Sequence, residues 1–161
     1  MRARPFHFDH ESARRWRVRA AARVVEGFMY IRFVTPEPAN RRRGHYGLFA
    51  PAVSLSYDSR TPKAHRLAIR EELDWFNANL PIPSWRSFSV KSRGRYYDDG
   101  ICWFRDDARD MVRHAFILKA LLDDLGIPIG RLHTEQPGQI LYRDDWQIVA
   151  KPEAATPVRW A

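Results

Sequence analysis

The stretch YYDDGICWFRDDARDMVRH, residues 96–114, places the only cysteine of the chain, Cys102, among carboxylates and ahead of His114. A cysteine within hydrogen-bond reach of a histidine is the arrangement of a thiol nucleophile and its general base. Apolar residues recur at intervals of three and four from Ile101, within this stretch, to Leu125, beyond it. This spacing is typical of one helical face. The chemistry available to Cys102 therefore depends on where this helix begins.

The apolar spacing predicts a helix that begins at Asp98 or Asp99, whose carboxylates suit an N-cap and the positive end of the helix dipole. On such a helix Cys102 and His114 lie about 18 Å apart along the axis, too far for a hydrogen bond. We therefore expect Cys102 to be a small, inert packing residue. The alternative is an extended ICWF segment with a helix from about Asp106, which would remove this geometric exclusion.

Other histidines offer further candidate chemistry. A catalytic Cys102 would need His45, His65 or His133 from another part of the chain. In LHTEQPG a strand would place His133 and Glu135 on one face, as a base and its orienting partner. Their position opposite the apolar side chains of the strand favours an ordinary solvent-exposed face.

Motifs for metals and cofactors are missing from the sequence. HFDHE, residues 7–11, has metal-compatible groups but no further ligand cluster, and a structural zinc site usually needs four ligands. There is no P-loop, dinucleotide fingerprint or G-x-S-x-G motif. We expect no metal site, no cofactor and no catalytic residue.

The segment SWRSFSVKSRGRYY, residues 84–97, combines cations and aromatic rings without an acidic residue. Such a mixture can hold phosphates and stack bases. The candidate nucleic-acid contacts are Arg86, Lys91, Arg93, Arg95, Tyr96 and Tyr97. The alternative, which we favour, is a surface loop whose aromatic side chains pack under the domain.

Composition indicates one folded domain in a reducing compartment. The 161 residues are 45% hydrophobic, and a single cysteine cannot form an internal disulfide, so a cytoplasmic protein is expected. Of the net charge of +8, residues 1–43 carry +7 and residues 44–161 only +1. This asymmetry weakens the argument from overall charge to nucleic-acid binding.

Local patterns predict an α+β fold in the order β-α-α-β-β-β. MYIRFV reads as a strand, TPEPANRRRGHYG as a loop, and LFAPAVSL as an irregular helix or turn. Thr61 as cap and Pro62 at the first position begin a helix that buries Leu67, Leu73 and Phe76. The long helix ends at Gly126, and IGRLHTEQ, QILYRD and WQIVAK follow as strands of a meander. We expect two layers, with helices on one face of a small antiparallel sheet.

The domain is expected to span residues 29–153. Residues 1–28 are arginine-rich and have few strong core residues, so they are interpreted as a basic extension upstream of a natural start near Met29. Residues 154–161 are interpreted as a C-terminal tail.

Several segments resemble a family of small uncharacterised bacterial proteins: MYIRFV, GLF, WFNANLPIP, ICWFRDDA and PGQILYRDDWQIVAKP. The resemblance extends over roughly residues 29–153 and implies no activity. It implies a start near Met29. It also implies serine or a residue like alanine near position 102, which argues against a thiol nucleophile.

The aromatic content exceeds the needs of a small core, which favours a surface for a protein partner or for self-association. The candidates for this surface are Trp85, Trp103 and Trp146. Our leading hypothesis is a protein-interaction domain without enzymatic activity. A nucleic-acid-binding module that uses residues 84–97, with RNA or DNA as partner, is the alternative, and a small hydrolase is third. No membrane partner is expected, because no apolar stretch approaches about 20 residues.

Overall fold

The computed structural model describes residues 27–40, 44–84, 89–92, 95–98 and 100–158. Within these ranges eight strands and three helices follow one another along the chain. They are β1 Tyr30–Asn40, β2 Gly44–Gly47, α1 Phe49–Tyr57, α2 Lys63–Asn79, β3 Ser89–Ser92, β4 Arg95–Asp98, β5 Ile101–Arg105, α3 Arg109–Asp124, β6 Gly130–Thr134, β7 Gln139–Arg143 and β8 Gln147–Lys151.

Six strands form one curled antiparallel sheet in the order β2-β1-β5-β8-β7, with β6 paired to β1. The three helices pack against this sheet, so the predicted two-layer α+β fold is confirmed. Strands β3 and β4 form a separate two-stranded sheet. No helix in the described part of the chain is long and apolar enough to span a bilayer.

Strand β1 organises the sheet because it has three partners. Tyr30 and Ile31 pair with both β5 and β6, whereas Val34 pairs with both β2 and β6. Strands β5 and β2 therefore follow one another along the same edge of β1. Between them, Arg32 and Phe33 have no partner on that edge, and the sheet opens into a fork between β2 and β5.

The loop predicted after MYIRFV is wrong, because β1 continues to Asn40 and β2 returns antiparallel to it. Pro36 and Pro38 suggested a break in the strand, since proline cannot donate a ladder hydrogen bond. The pairing of β1 with β2 is irregular at this point, with register shifts on both sides of Pro38. Prolines are tolerated at such irregularities and at sheet edges.

The helix predicted from Asp98 or Asp99 is also wrong, because Cys102 lies in strand β5 and α3 begins only at Arg109. Strand β5 is apolar on both faces: Trp103 packs on one side of the sheet and Phe104 on the other. A strand buried on both faces has closely spaced apolar residues that resemble the start of a helical stripe. The alternative with an extended ICWF segment is the one observed.

Helices α2 and α3 follow their predicted extents more closely. Thr61 is not a side-chain cap, since its hydroxyl is buried without a hydrogen-bond partner and Pro62 is the N-cap residue. Helix α2 buries Ile69 and Phe76, not Leu67. Helix α3 buries Met111, Ala115, Leu118 and Leu122, which are part of the predicted stripe. It ends before Gly126, whose φ of 79° favours glycine.

The three predicted C-terminal strands are present, but they do not form a meander. Strand β6 pairs with β1, whereas β7 pairs with β8. The turn between β6 and β7 needs Gly138, where φ is 100° and a Cβ would lie 2.0 Å from the Lys151 carbonyl oxygen. After β8, Thr156 is buried and its hydroxyl donates to the Gln136 carbonyl at 3.1 Å. Thr156 and Val158, in the described part of the segment after residue 153, therefore pack on the domain.

The sheet separates two hydrophobic cores. The helix-side core lies between the sheet and the helices, and its fully buried residues include Phe33, Ala52, Ile69, Ala115, Leu118 and Leu122. The inner core lies on the other face of the sheet and consists of strand residues: Tyr30, Val34, Ile101, Trp103, Leu132, Ile148 and Ala150.

Candidate functional site: an apolar cleft between two helices

A cleft of about 570 Å³ opens between α1 and α2. Its walls are the two helices, one end is the segment after α2, and side chains of β5 and β8 line it from the sheet. The lining residues include Phe49, Val53, Tyr57, Arg70, Asp74 and Ile82.

Helix α1 forms its wall because of its amphipathic spacing. Ala52 and Ser56, one turn apart, are buried toward the domain. The next residues along, Val53 and Tyr57, are on the neighbouring stripe and line the cleft. They are large and exposed, so this wall presents apolar surface to water.

Helix α2 forms the opposite wall through a second stripe. Ile69 and Phe76 face the core, whereas Arg70, Leu73 and Asp74 line the cleft. These cleft residues follow the spacing i, i+3 and i+4, so they form one continuous face of the helix. The cleft is thus bounded by two helical faces, and Leu73, which the sequence prediction assigned to the core, packs against that core and also borders the cleft.

The segment after α2 closes one end. Pro81, Ile82 and Pro83 line the cleft, and the Pro81 carbonyl accepts a hydrogen bond of 2.6 Å from the Gln147 side-chain amide of β8. This bond fastens the segment to the sheet. Ile82 nevertheless remains 83% exposed, and Tyr57 across the cleft is 77% exposed.

Gln147 is itself positioned by the turn between β7 and β8. The Asp144 carboxylate accepts hydrogen bonds of 2.8 Å from the backbone N–H groups of Trp146 and Gln147, and a third of 2.9 Å from the Tyr142 hydroxyl. The bond to Asp144 raises the pKa of Tyr142, with burial and the charge of Asp144 acting in the same direction. The turn between β7 and β8 therefore also supports the cleft, because it positions Gln147.

Among the described residues that line the cleft, Arg70 and Asp74 are the only charged ones. Arg70 Nε donates to the Ser56 carbonyl at 3.0 Å, and its guanidinium carbon lies 5.4 Å from the centroid of the Tyr57 ring. Neither charge forms an ion pair with a described residue. The nearby Asp58 is occupied by Arg60, whose hydrogen bonds lower the pKa of that carboxyl to about 2.

A smaller inner cavity of about 210 Å³ occupies the fork between β2 and β5. Phe49, Cys102 and Gln147 line both this cavity and the cleft, so the two spaces adjoin at these side chains. Arg32 is buried beside the fork, and its Nη2 donates to the His45 carbonyl at 2.5 Å. This cavity could not be predicted from the sequence, because it depends on where β5 and β2 separate.

Cys102 is half-buried, and it lies in strand β5 rather than in the predicted helix. His45 lines the inner cavity together with Cys102, but its Nδ1 is buried without any hydrogen-bond partner. A Cys–His dyad through that nitrogen is therefore not formed by the described residues.

His114 lies in a cluster with Glu72 and Trp75 and does not serve as a base for Cys102. Its Nδ1 lies 2.7 Å from Glu72 Oε2, and its ring stacks on Trp75 with centroids 3.5 Å apart and planes 9° apart. The Glu72 and His114 side chains are only 13% and 15% exposed. This cluster joins α2 to α3, and it lies outside the lining of both cavities.

His133 and Glu135 are on the exposed side, as the simpler interpretation predicted. His133 alternates with the buried Leu132 in β6, and Glu135 follows the strand at the surface. Burial, and secondarily the charge of Arg131, lowers the pKa of His133. No hydrogen bond joins His133 to Glu135 in the described structure.

The three tryptophans proposed for a partner surface have different positions. Trp103 is 1% exposed and belongs to the inner core, so it cannot contact a partner and this part of the expectation is corrected. Trp146 is half-buried against the helix-side core. Trp85 lies outside the described residues.

The candidate nucleic-acid segment is a hairpin rather than the predicted loop. Strands β3 and β4 pair over Ser89–Ser92 and Arg95–Asp98, with Lys91 opposite Tyr96. Arg86 and Arg93 lie outside the described residues. The backbone therefore places Lys91, Arg95, Tyr96 and Tyr97 in one antiparallel ribbon.

Among the residues that the structure describes, no group of three or more histidine, cysteine, aspartate or glutamate side chains could hold a metal ion. The HFDHE segment lies outside the described residues. Comparisons with protein-family models, with curated proteins and with solved structures found no match. A functional proposal for this chain therefore has to start from its own cleft.

Proposed function

We propose that the protein is an interaction domain that binds an apolar helical segment of a partner protein in the cleft between α1 and α2. The observation that carries this proposal is the cleft of about 570 Å³ with Tyr57 and Ile82 largely exposed at its rim. Exposed apolar side chains that border a concave surface are typical of sites that bind another molecule.

The rim favours a macromolecular partner over a small ligand. An occupant that filled only the cleft would contact the lining side of Tyr57 and Ile82 and leave the rest of these side chains, which are 77% and 83% exposed, in water. A segment longer than the cleft would cover both and add their burial to the binding free energy. The proposal thus assigns these two side chains as anchors at opposite sides of the bound segment.

The shape of the walls favours a helix as the bound element. Both walls are helical faces, and the lining includes no strand edge to which an extended peptide would add along its whole length. Amphipathic helices bind such grooves through apolar residues spaced three or four apart. The stretch of α2 from Arg70 to Leu80 is about 15 Å long, which matches roughly ten residues of a bound helix.

The proposal can be tested with a displayed library of random 16-residue peptides selected on the wild-type protein. We expect enrichment of peptides with apolar residues three and four apart. Fluorescence anisotropy with an enriched peptide should show binding weakened at least about tenfold by Ile82→Asp or Tyr57→Asp, because each places a charge against the apolar segment.

Leu67→Asp is the matched control, since Leu67 is an exposed apolar residue of α2, at 53%, and does not line the cleft. Thermal unfolding should show all three variants folded. Failure to enrich any peptide, or equal weakening by Leu67→Asp and Ile82→Asp, would contradict the proposal.

The hairpin of β3 and β4 supports a second candidate function, nucleic-acid binding. Its observation is a two-stranded ribbon separate from the main sheet, whose sequence carries Lys91, Arg95 and two tyrosines. Two-stranded ribbons are among the elements that fit the major groove of DNA, and aromatic residues in ribbons can stack on single-stranded bases.

Anisotropy with short single-stranded RNA and DNA at two salt concentrations tests this candidate. Replacing Arg93 and Arg95 by alanine should weaken binding to all sequences and reduce the salt slope by about two units. No binding at low salt would exclude the hairpin as a phosphate-dependent site.

A further inference from the structure

The walls of the cleft carry two charges that the protein leaves without ion-pair partners. Arg70 and Asp74 lie on the same face of α2, one helical turn apart, with Cβ atoms about 5–6 Å apart by helix geometry. No ion pair joins them to each other or to another described residue. An occupant of the cleft would bring its own charges against both.

Arg70 is held in a defined orientation. Its Nε donates to the Ser56 carbonyl, and its guanidinium lies over the Tyr57 ring. The two terminal nitrogens make no hydrogen bond with a described residue, so the end of the fork is available. That end can donate two parallel hydrogen bonds to one carboxylate.

Asp74 favours a positive charge on the bound segment, whereas Arg70 favours a negative one. Asp74 has neither a hydrogen bond nor an ion pair within the described part of the chain. A carboxylate bound by Arg70 would be repelled by Asp74 unless a cation lay beside it. The wall therefore disfavours a segment with two acids or two bases at this place and favours one of each.

We infer that the helical segment bound in the cleft carries an acidic residue opposite Arg70 and a basic residue opposite Asp74, at a spacing of one turn. This inference rests on the proposed function and adds the chemistry of the partner to it. The apolar rim supplies affinity, whereas the two wall charges select among apolar helices. The other lining residues that the structure describes are uncharged, so Arg70 and Asp74 provide this selection within the described part of the cleft.

The experiment uses an enriched peptide made in three forms that differ only at the two positions facing α2: acid with base, two acids, and two bases. We expect the wild-type protein to bind the mixed form about fivefold more tightly than either of the others at low salt, as partly exposed charge pairs allow. The difference should shrink at high salt.

Charge reversal in the protein should change this preference in a defined direction. Arg70→Glu gives the wall two acids and should make the peptide with two bases the tightest binder. Asp74→Lys should do the same for the peptide with two acids. Lys63→Glu and Glu71→Lys are the matched controls, because they make the same charge changes on α2 outside the cleft.

The outcomes separate this inference from the proposal beneath it. Equal affinity of the three forms for the wild-type protein, with binding still lost on Ile82→Asp, would overturn the charge selection and leave the cleft as the site. A switch of preference in the control variants as large as in the cleft variants would also overturn it. Binding that did not depend on Ile82 would overturn both.

Discussion

The two faces of the curled sheet are covered in different ways. On the inner face the core consists of strand residues, and Trp103, Ile148 and Val34 are almost completely buried. On the other face, three separate helices provide the cover, and the cleft remains between α1 and α2. Helices bury only the surface that they contact, and α1 and α2 leave the side chains that line the cleft partly uncovered. The proposed binding surface therefore belongs to the helix layer.

The helix layer also differs from one side of α2 to the other. Toward α3, the contact is closed by the Glu72–His114 hydrogen bond and by Trp75 stacked on His114. Toward α1, the two helices meet through Phe49 and Phe76, whose rings are 4.9 Å apart, and through the hydrogen bond from Arg70 to the Ser56 carbonyl. One side of α2 is thus specialised for packing and the other retains exposed apolar and charged side chains.

The largest effect should come from truncating the aromatic anchor of the enclosed face. Trp103→Ala should lower the free energy of unfolding by about 3–5 kcal/mol, because the cavity would lie in a core with no room to collapse. Phe49→Ala, on the open face, should cost about 1–3 kcal/mol, since Phe49 already borders two cavities.

Urea unfolding of both variants, followed by fluorescence and circular dichroism, measures this contrast. Trp103→Phe provides a further arm: the indole Nε1 has no hydrogen-bond partner, so phenylalanine removes an unsatisfied donor and should cost less than alanine. A Phe49→Ala loss as large as that of Trp103→Ala would contradict the difference between the faces.

The next largest loss of stability should come from the turn between β7 and β8, which positions Gln147 in the lining of the cleft. Asp144→Ala removes the acceptor of two backbone N–H groups and of the Tyr142 hydroxyl, so stability should fall by about 2–3 kcal/mol. Asp144→Asn keeps an acceptor oxygen for the backbone and should cost less. If thermal unfolding ranked the two variants in the opposite order, the turn would not be the source of the stability.

A smaller loss is expected at the closed side of α2. Glu72→Gln weakens the hydrogen bond to His114 between two largely buried side chains, so we expect a loss of about 1–2 kcal/mol. Glu71→Gln, one residue away and exposed, should change stability by less than about 0.5 kcal/mol. Equal effects of the two substitutions in denaturant unfolding would show that the Glu72–His114 contact adds nothing to the packing of α2 on α3.

Sequence periodicity predicted the elements that bury one face. The apolar stripe of α3 and the alternating burial of β6 each follow a single period, and both elements were located correctly. It failed where burial is two-sided, because β5 packs Trp103 and Phe104 on opposite faces and its spacing merged with the stripe of α3. It also failed at Pro36 and Pro38, where an irregular strand pairing accommodates residues that read as a loop.

The candidate site was less accessible from the sequence than the fold. Tryptophans were predicted from the sequence to contact a partner, but Trp103 is buried in the inner core. The residues proposed for binding, Tyr57, Arg70 and Ile82, lie in three different segments, and only the packing of α1 beside α2 brings them to one cleft. Their individual signals are weak: an apolar residue between prolines and a charge on a helix are common on protein surfaces.

The smallest effect concerns Cys102, which lies where the cleft meets the inner cavity. Cys102→Ser should lower stability by no more than about 1 kcal/mol, because the substitution adds a polar group at a half-buried position and leaves the volume nearly unchanged. The native thiol should react slowly with an aromatic disulfide reagent near neutral pH, and a cleft-bound peptide should slow the reaction further. Rapid modification in the free protein would instead indicate an activated thiolate and would favour an enzymatic role for the cavity.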